Sequence, residues 1–412
     1  MSKVKVVDAM MGRGKTSAAA AYMLSCRGEK RFMYITPFLD EVDRICLNCD
    51  FIQPDGGEMT KSTELKILLG SGRNIASTHA LFYLLDCETI DIIKKKKYCL
   101  IIDESIDPIQ KIHITKDDMD IILKTVVSVD DKTGKLSWKD SGYNAGVYIT
   151  YKQMIESGNV YKKDTALLSV MNPDVIKAFE EVIMMTYMFD GQYQKGYLDY
   201  FGIEYQSCGV RVDDSDEDNI KFTFTDVPDD PPPINFKELI TIIDDRRINN
   251  IGNDRCALSK SWYESRSRNS KDMKELRSNM NYFFRRKCNA KTKDILWTTF
   301  KDGYEKLIPE NGRFSGGFIS LTSRATNKYK DRNVVAYMAN RFVDPNVMKF
   351  FAKEGVKIDA DKYALSEMLQ FVWRSAIRDG KPITVYIPSK RMRELFINWI
   401  EEISKGDFVK ND

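Results

Sequence analysis

The sequence predicts an α/β protein built from two parallel-sheet domains in tandem, and three observations carry that prediction. Short apolar stretches alternate with amphipathic helical stretches through the first half of the chain. The first apolar stretch runs straight into a glycine turn and then an alanine-rich helix. After an acidic, proline-rich interruption the alternation resumes, now without a second glycine turn of that kind. At 412 residues the chain is long enough for two domains with cores of their own.

The elements follow in order. A strand is expected over 4–7, ending in Asp8, and a helix over 15–26. Between them lies Ala9-Met10-Met11-Gly12-Arg13-Gly14-Lys15-Thr16. Strand, glycine turn and helix N-terminus form an anion cradle, in which backbone N–H groups, the helix dipole and the Lys15 ammonium face one phosphate chain. Gly12, Arg13, Gly14, Lys15, Thr16 and Ser17 are the candidate phosphate-binding residues, with the Thr16 hydroxyl directed at Mg²⁺. The generic G-x-x-x-x-G-K-[ST] pattern has Ala9 in place of its first glycine; the variant A-x-x-G-x-G-K-T is met at every fixed position.

Further strands are expected over 31–36, 73–77 and 98–103, with helices near 38–47, 61–69 and 79–86. The stretch Tyr98-Cys99-Leu100-Ile101-Ile102-Asp103-Glu104 reads as a strand buried on both faces, with two carboxylates at its C-terminal end. Open α/β sheets bind ligands at that end. Asp103 is the candidate Mg²⁺ ligand and Glu104 the candidate base for an attacking water. The lysine run 94–97 reads as a solvated helix end. Asp130-Asp131-Lys132-Thr133-Gly134-Lys135 is a turn signal between strand-like residues, so a hairpin insertion is expected near 130–150. Val182 to Tyr187 is another buried strand, with a hydroxyl residue at its end.

The interruption lies between about 205 and 235, with Asp213-Asp214-Ser215-Asp216-Glu217-Asp218 and Pro231-Pro232-Pro233. Ile220 to Thr225 alternates like an edge strand. The expected division is 1–205 and 206–412. In the second domain helices are expected over 236–248, 255–267 and 271–288, together a helical insertion near 235–290. Core strands are expected over 294–299, 317–321, 334–337 and 383–387.

Composition narrows the function classes. With 63 basic and 60 acidic residues the net charge is +3, which excludes an obligate polybasic protein but permits a local basic groove. The eight cysteines include one C-x-x-C, Cys46 and Cys49, without a second pair at zinc spacing, and the two histidines, His79 and His113, add no cluster. A zinc site is therefore not expected, reduced thiols are, and Ser-His or Cys-His catalysis is nearly excluded. No stretch approaches a membrane span and the N-terminus carries no apolar signal region, so a cytoplasmic protein without a membrane partner is expected.

Near the end lies Gln370-Phe371-Val372-Trp373-Arg374-Ser375-Ala376-Ile377-Arg378. On one helix, expected over 366–379, residues 370, 374 and 378 share a face. A glutamine and two arginines there suit a γ-phosphate reader and an arginine finger. This segment resembles motif VI of superfamily 2 helicases, with Gln370 and Arg374 in register and Arg378 one residue late. Ala9 to Thr16 resembles motif I and Asp103-Glu104-Ser105-Ile106 motif II. Tyr34 to Phe38, Ala76 to His79, Met185 to Tyr187 and Ser320 to Thr326 fit the order of the motifs between them.

The resemblance, strongest to phage and viral helicase-type ATPases, implies two RecA-like domains with an ATP cleft between them. It implies ATP and Mg²⁺ as cofactors, with Lys15, Glu104, Gln370, Arg374 and Arg378 as catalytic residues, Arg378 being favoured as the finger. It also implies a nucleic-acid strand, DNA favoured, contacted by Thr36, Thr78, Ser323 and Arg324. An ATP-dependent helicase or translocase of phage or viral replication or recombination, acting in the host cytoplasm with a possible replication-protein partner, is the leading expectation. A nucleotide-switched recruitment factor and a DNA-packaging-type ATPase are the alternatives. With eight residues ahead of Ala9, the upstream adenine-reading glutamine motif of DEAD-box proteins is not expected. The aromatic and basic mixtures at 262–268 and 282–287 suit base stacking, but suit amphipathic helices better.

Overall fold

Among the described residues twelve strands precede the acidic interruption or lie within it. β1 (Val4–Asp8), β2 (Arg31–Thr36), β3 (Ile75–Thr78) and β4 (Tyr98–Asp103) come first. An insertion follows with β5 (Ile109–Lys111), β6 (Val127–Val129), β7 (Leu136–Trp138), β8 (Val160–Lys163) and β9 (Ala166–Val170). Then come β10 (Glu181–Thr186), β11 (Tyr205–Asp213) and β12 (Lys221–Thr225). These elements belong to a computed structural model that describes residues 3–57, 59–139, 142–143, 146–156, 158–216, 220–228, 235–309, 311–321 and 327–405.

The main sheet has seven strands in the order β12-β11-β1-β10-β4-β2-β3. Its neighbours run parallel except at the edge, where β12 pairs antiparallel with β11. Parallel pairing brings the C-terminal ends of β1, β4 and β10 to one edge, in the register Asp8↔Thr186 and Met185↔Asp103. One face of the sheet buries Val4, Val6, Met33, Ile35, Leu100, Ile102, Val182 and Met184; the other buries Val7, Phe32, Tyr34, Ile101 and Ile183 under helices α1 (Lys15–Ser25) and α2 (Leu39–Cys49). Both faces covered is the reason these strands read as unbroken apolar runs.

The chain divides into two units. The first comprises Met1–Ala9, Arg13–Asp229 and Asp344–Ile358, the second Met10–Gly12, Asp230–Val343 and Asp359–Asp412. A division at 205 would cut the main sheet, because β11 pairs with β1 from Tyr205 onward. The helix Pro345–Ala352 is a second departure. Its Val347, Phe350 and Phe351 are buried in the first unit's core, and Phe350 stacks on Tyr200 at 4.5 Å between ring centroids.

The insertion carries its own small core of Met119, Ile122, Val127, Leu136, Ile155, Val160 and Leu167. Its hairpin is β6–β7, centred ahead of the expected span. Asp130 Oδ1 accepts from the Thr133 N–H at 2.7 Å and Gly134 turns at φ 79°, so the turn chemistry is as the residues dictate. Residues 149 and 150 are not strand; they open the helix Ile149–Glu156.

The second unit holds a four-stranded parallel sheet, β13 (Ile240–Ile242), β14 (Ile295–Thr298), β15 (Val334–Tyr337) and β16 (Ile383–Tyr386), in the order β13-β16-β15-β14. Two expectations are corrected here. Residues 240–242 lie inside an expected helix, but the β-branched run Ile-Thr-Ile pairs with β16. Residues 317–321 were expected to be a core strand, and instead make a single bridge, Trp297↔Phe318. Gly317 crosses over the Ile295 carbonyl so closely that a Cβ would stand 2.5 Å from its oxygen. Of the expected helices, 255–267 shortens to Lys260–Glu264, whereas 271–288 is met by Lys271–Tyr282 continued as a π-helical turn over Phe283–Lys287. Among the described residues no helix is long and apolar enough to cross a membrane.

Candidate nucleotide-binding site

The site begins where β1 ends. Gly12 and Gly14 turn at φ 83° and 79°, a region that a side chain makes costly, and Gly14 caps α1. Gly12 is exposed, and a Cβ there would meet nothing within 4 Å, so the turn is open to solvent at that residue. Lys15 is nine-tenths buried and donates to the Ala9 carbonyl, which folds its ammonium back along the loop. Arg13, Thr16 and Ser17 are half-buried around the same turn.

The acids stand at the end of β4. Asp103 is buried, and Tyr34 Oη donates to its Oδ2 at 2.6 Å. Thr16 Oγ1 lies 3.4 Å from the same oxygen. His79 Nε2–H donates to the Asp103 main-chain oxygen at 3.1 Å and so pins the strand end. Burial, then the neighbouring Glu104 charge, pushes the Asp103 carboxyl above the usual carboxylate range, against the Tyr34 hydrogen bond and the Lys15 charge. Burial and the Asp103 charge likewise raise Tyr34 well above an ordinary phenol. Glu104 is half-buried and left-handed, with φ 65°. A non-glycine residue in that conformation marks a backbone forced by its surroundings, of the kind that collects at functional sites.

The residues fit the group the motifs imply. An open glycine turn at a helix N-terminus with a lysine folded along it suits a polyphosphate. A hydroxyl and a carboxylate oxygen converging on one point are hard oxygen donors of the type Mg²⁺ takes.

Two contributors have no role assigned from the sequence, although Tyr34 lies within the stretch Tyr34 to Phe38 that fits the motif order. Asp8 is capped by the Phe189 N–H at 3.0 Å, while its Oδ1 is buried without a hydrogen-bond partner. Burial raises its pKa to about 6, with Lys15 opposing. Tyr34 is the other; strand alternation places it on the face of Val7 and Ile101, a signal present in the sequence. Beside them Gln192 Nε2 donates to Thr186 Oγ1 at 2.6 Å and to the Tyr187 carbonyl at 2.9 Å, fixing the end of β10.

The remaining candidates are less gathered. Thr36 is fully buried, so its side chain offers no surface to a strand, contrary to the expected contact. Thr78 is half-buried at the end of β3. Ser323 and Arg324 lie outside the described residues. In the second unit the helix Ala360–Val372 stops short of 379, and 370, 374 and 378 do not share one face. Trp373 caps it, Ser375 is extended with its hydroxyl on the Val372 carbonyl at 2.6 Å, and a separate 3-10 turn spans Ala376–Asp379. Gln370 is half-buried, Arg374 is 8% exposed and Arg378 is exposed.

The chain is 35% identical over 416 residues to the SPbeta prophage-derived uncharacterized protein YonV of Bacillus subtilis (strain 168), covering 97% of this chain and 99% of that protein. The chain belongs to the YonV family. The model of the YonV C-terminal Rossmann-like domain matches residues 234–400, which span the four-stranded sheet of the second unit. The solved structure XPD_APO is similar with a TM-score of 0.52 at 13% identity, over 97% of this chain and 95% of that one. The structure of S. tokodaii Xpd4 gives 0.45 at 12% identity, over 96% and 94%. The fold of this YonV-family chain is thus α/β with two RecA-like parallel-sheet domains, as the motifs imply.

Proposed function

We propose that this chain is an ATP-dependent nucleic-acid helicase or translocase, acting on DNA in phage replication or recombination in the host cytoplasm. One observation carries the reading: an open glycine turn with Lys15 and Thr16 lies beside the buried acid Asp103, at the C-terminal edge of a parallel sheet. A prophage relative and a helicase-like fold support it.

The residues divide the work. Backbone N–H groups of Gly12 to Ser17 and the Lys15 ammonium hold the phosphates. Thr16 and Asp103 hold Mg²⁺, and Tyr34 and His79 keep Asp103 in place. Bound Mg-ATP supplies the phosphoanhydride and the charge neutralisation of its phosphates. Glu104 takes the proton of the attacking water. From the second domain Gln370 and Arg374 contribute polar contacts, and Arg378 acts as the finger, its exposed position at a turn suiting a residue that must reach out. Thr78, with Ser323 and Arg324, contacts the sugar-phosphate backbone of the strand and so reads no sequence.

The test is ATP hydrolysis with and without single-stranded DNA, beside Lys15→Ala, followed by strand displacement. DNA-stimulated hydrolysis, lost in Lys15→Ala, is expected. Hydrolysis indifferent to DNA and RNA points instead to a protein-partnered switch, and nucleotide binding without hydrolysis overturns the motor.

A further inference from the structure

The phosphate loop has an aromatic neighbour that no motif accounts for. β12 is the antiparallel strand added at the edge of the parallel sheet, and its alternation sets Phe222 and Phe224 against α1. Phe224 meets Tyr22 edge-on at 5.9 Å between centroids. Phe222 lies against the loop itself: a Cβ on Gly14 would stand 2.1 Å from its Cδ1 and 2.3 Å from its Cε1. Phe222 is half-buried. It borders a cavity of ≈ 840 Å³, walled by Ser17, Ala18 and Ala21 of α1 on one side and by Ile220, Phe222 and Phe224 on the other. That size falls among small-molecule sites, and the lining is mostly apolar, as such sites are.

We propose that Phe222 is the stacking platform for the nucleobase of the nucleotide bound at Gly12 to Thr16, and that the cavity between α1 and the β11–β12 hairpin receives that base. The inference rests on the phosphate-loop reading above. A nucleotide anchored by its phosphates at the N-terminus of α1 must lay its base on a surface adjoining that terminus. The apolar surface adjoining Gly14 is the aromatic wall of this cavity. The π-face of a phenylalanine accepts any base, so affinity comes from stacking area and not from a hydrogen-bond code.

The hairpin therefore has two jobs. Phe224 covers α1, while Phe222 also meets ligand. A purely structural Phe222 would prop up the loop and affect every polyphosphate alike. A base platform affects only ligands that carry a base.

Calorimetric binding of Mg-ADP and of Mg-tripolyphosphate to the full chain separates these, with Phe222→Ala, Phe222→Leu and Phe222→Trp. Phe222→Leu keeps the apolar packing if the alanine variant unfolds. We expect ADP to bind about five- to one-hundred-fold more weakly to the alanine and leucine variants, from the usual strength of base–aromatic stacking. Tripolyphosphate should bind all variants as it binds the parent, and Phe222→Trp should restore ADP. Unchanged ADP affinity in Phe222→Leu overturns the platform, as does an equal loss for ADP and tripolyphosphate. A parent chain that binds neither ligand overturns the phosphate-loop reading and the platform with it.

Discussion

In the first unit the carboxyls of Asp8 and Asp103 sit at strand ends, buried and held by named partners; in the second the candidate charges straddle the end of a helix. Asp103 has Tyr34 at 2.6 Å on its carboxylate and His79 at 3.1 Å on its carbonyl. Arg374 and Arg378 are separated by a break at Ser375, one buried and the other exposed. A strand end in a parallel sheet fixes a side chain through several neighbours at once, whereas a helix terminus leaves each residue to its own local turn. The first unit is thus preorganised around one point, and the second offers two arginines with different jobs.

The largest expected effect tests the preorganised side. Glu104→Gln keeps size and hydrogen-bonding capacity but removes the base. Hydrolysis should fall on the order of 10²- to 10⁴-fold, with ADP affinity retained. An unchanged rate would place the base elsewhere and remove the contrast between the units.

The two arginines come next. Arg374→Ala should lower stability by about 2–3 kcal/mol, because a buried arginine loses its packing and leaves a hole. Arg378→Ala should stay within about 0.5 kcal/mol, as exposed positions do, while hydrolysis drops. Urea unfolding beside steady-state rates reads both. Equal destabilisation would mean that the break at Ser375 does not divide their roles.

What the sequence made legible follows the same line. The loop at 9–16 and the acids at 103 and 104 are tied to backbone geometry, a positive φ or a strand end, which a short pattern captures. The spacing of 370, 374 and 378 is meaningful only while a helix continues, and Ser375 ends it by taking the Val372 carbonyl with its own hydroxyl. Tyr34 and Asp8 needed strand pairing as well as alternation to be placed. The return of Asp344–Ile358 to the first unit had no local signal, because Val347, Phe350 and Phe351 read as an ordinary amphipathic helix until their partners are known. The β11 strand, which pairs beyond residue 205, was obscured by the acidic run that follows it.

Asp8 tests the electrostatics of the loop. Its carboxyl is held at about 6 in the fold against an ordinary 3.8, so the folded state binds the extra proton between those values. Its contribution to stability therefore declines as pH rises from about 4 to about 6 and stays low above that range. Asp8→Asn keeps an acceptor for the Phe189 N–H and removes the buried charge. It should be more stable than the parent at pH 8, by up to about 2–3 kcal/mol, and equal to it near pH 4. A parent and variant that track each other across that range would mean that Lys15 neutralises Asp8 fully.

The smallest effect separates two costs inside the loop. Gly12 and Gly14 have nearly the same φ, 83° and 79°, but different surroundings. An added Cβ meets nothing near Gly12 and strikes the Phe222 ring at Gly14. Gly12→Ala should therefore cost only the backbone strain, about 1 kcal/mol, whereas Gly14→Ala adds displacement of the ring. In a Phe222→Ala background the added cost of Gly14→Ala should fall to the Gly12 level, because the steric part has no remaining partner. If Gly14→Ala costs as much in that background as in the parent, the penalty lies wholly in the backbone, and the contact between the ring and the loop holds nothing in place.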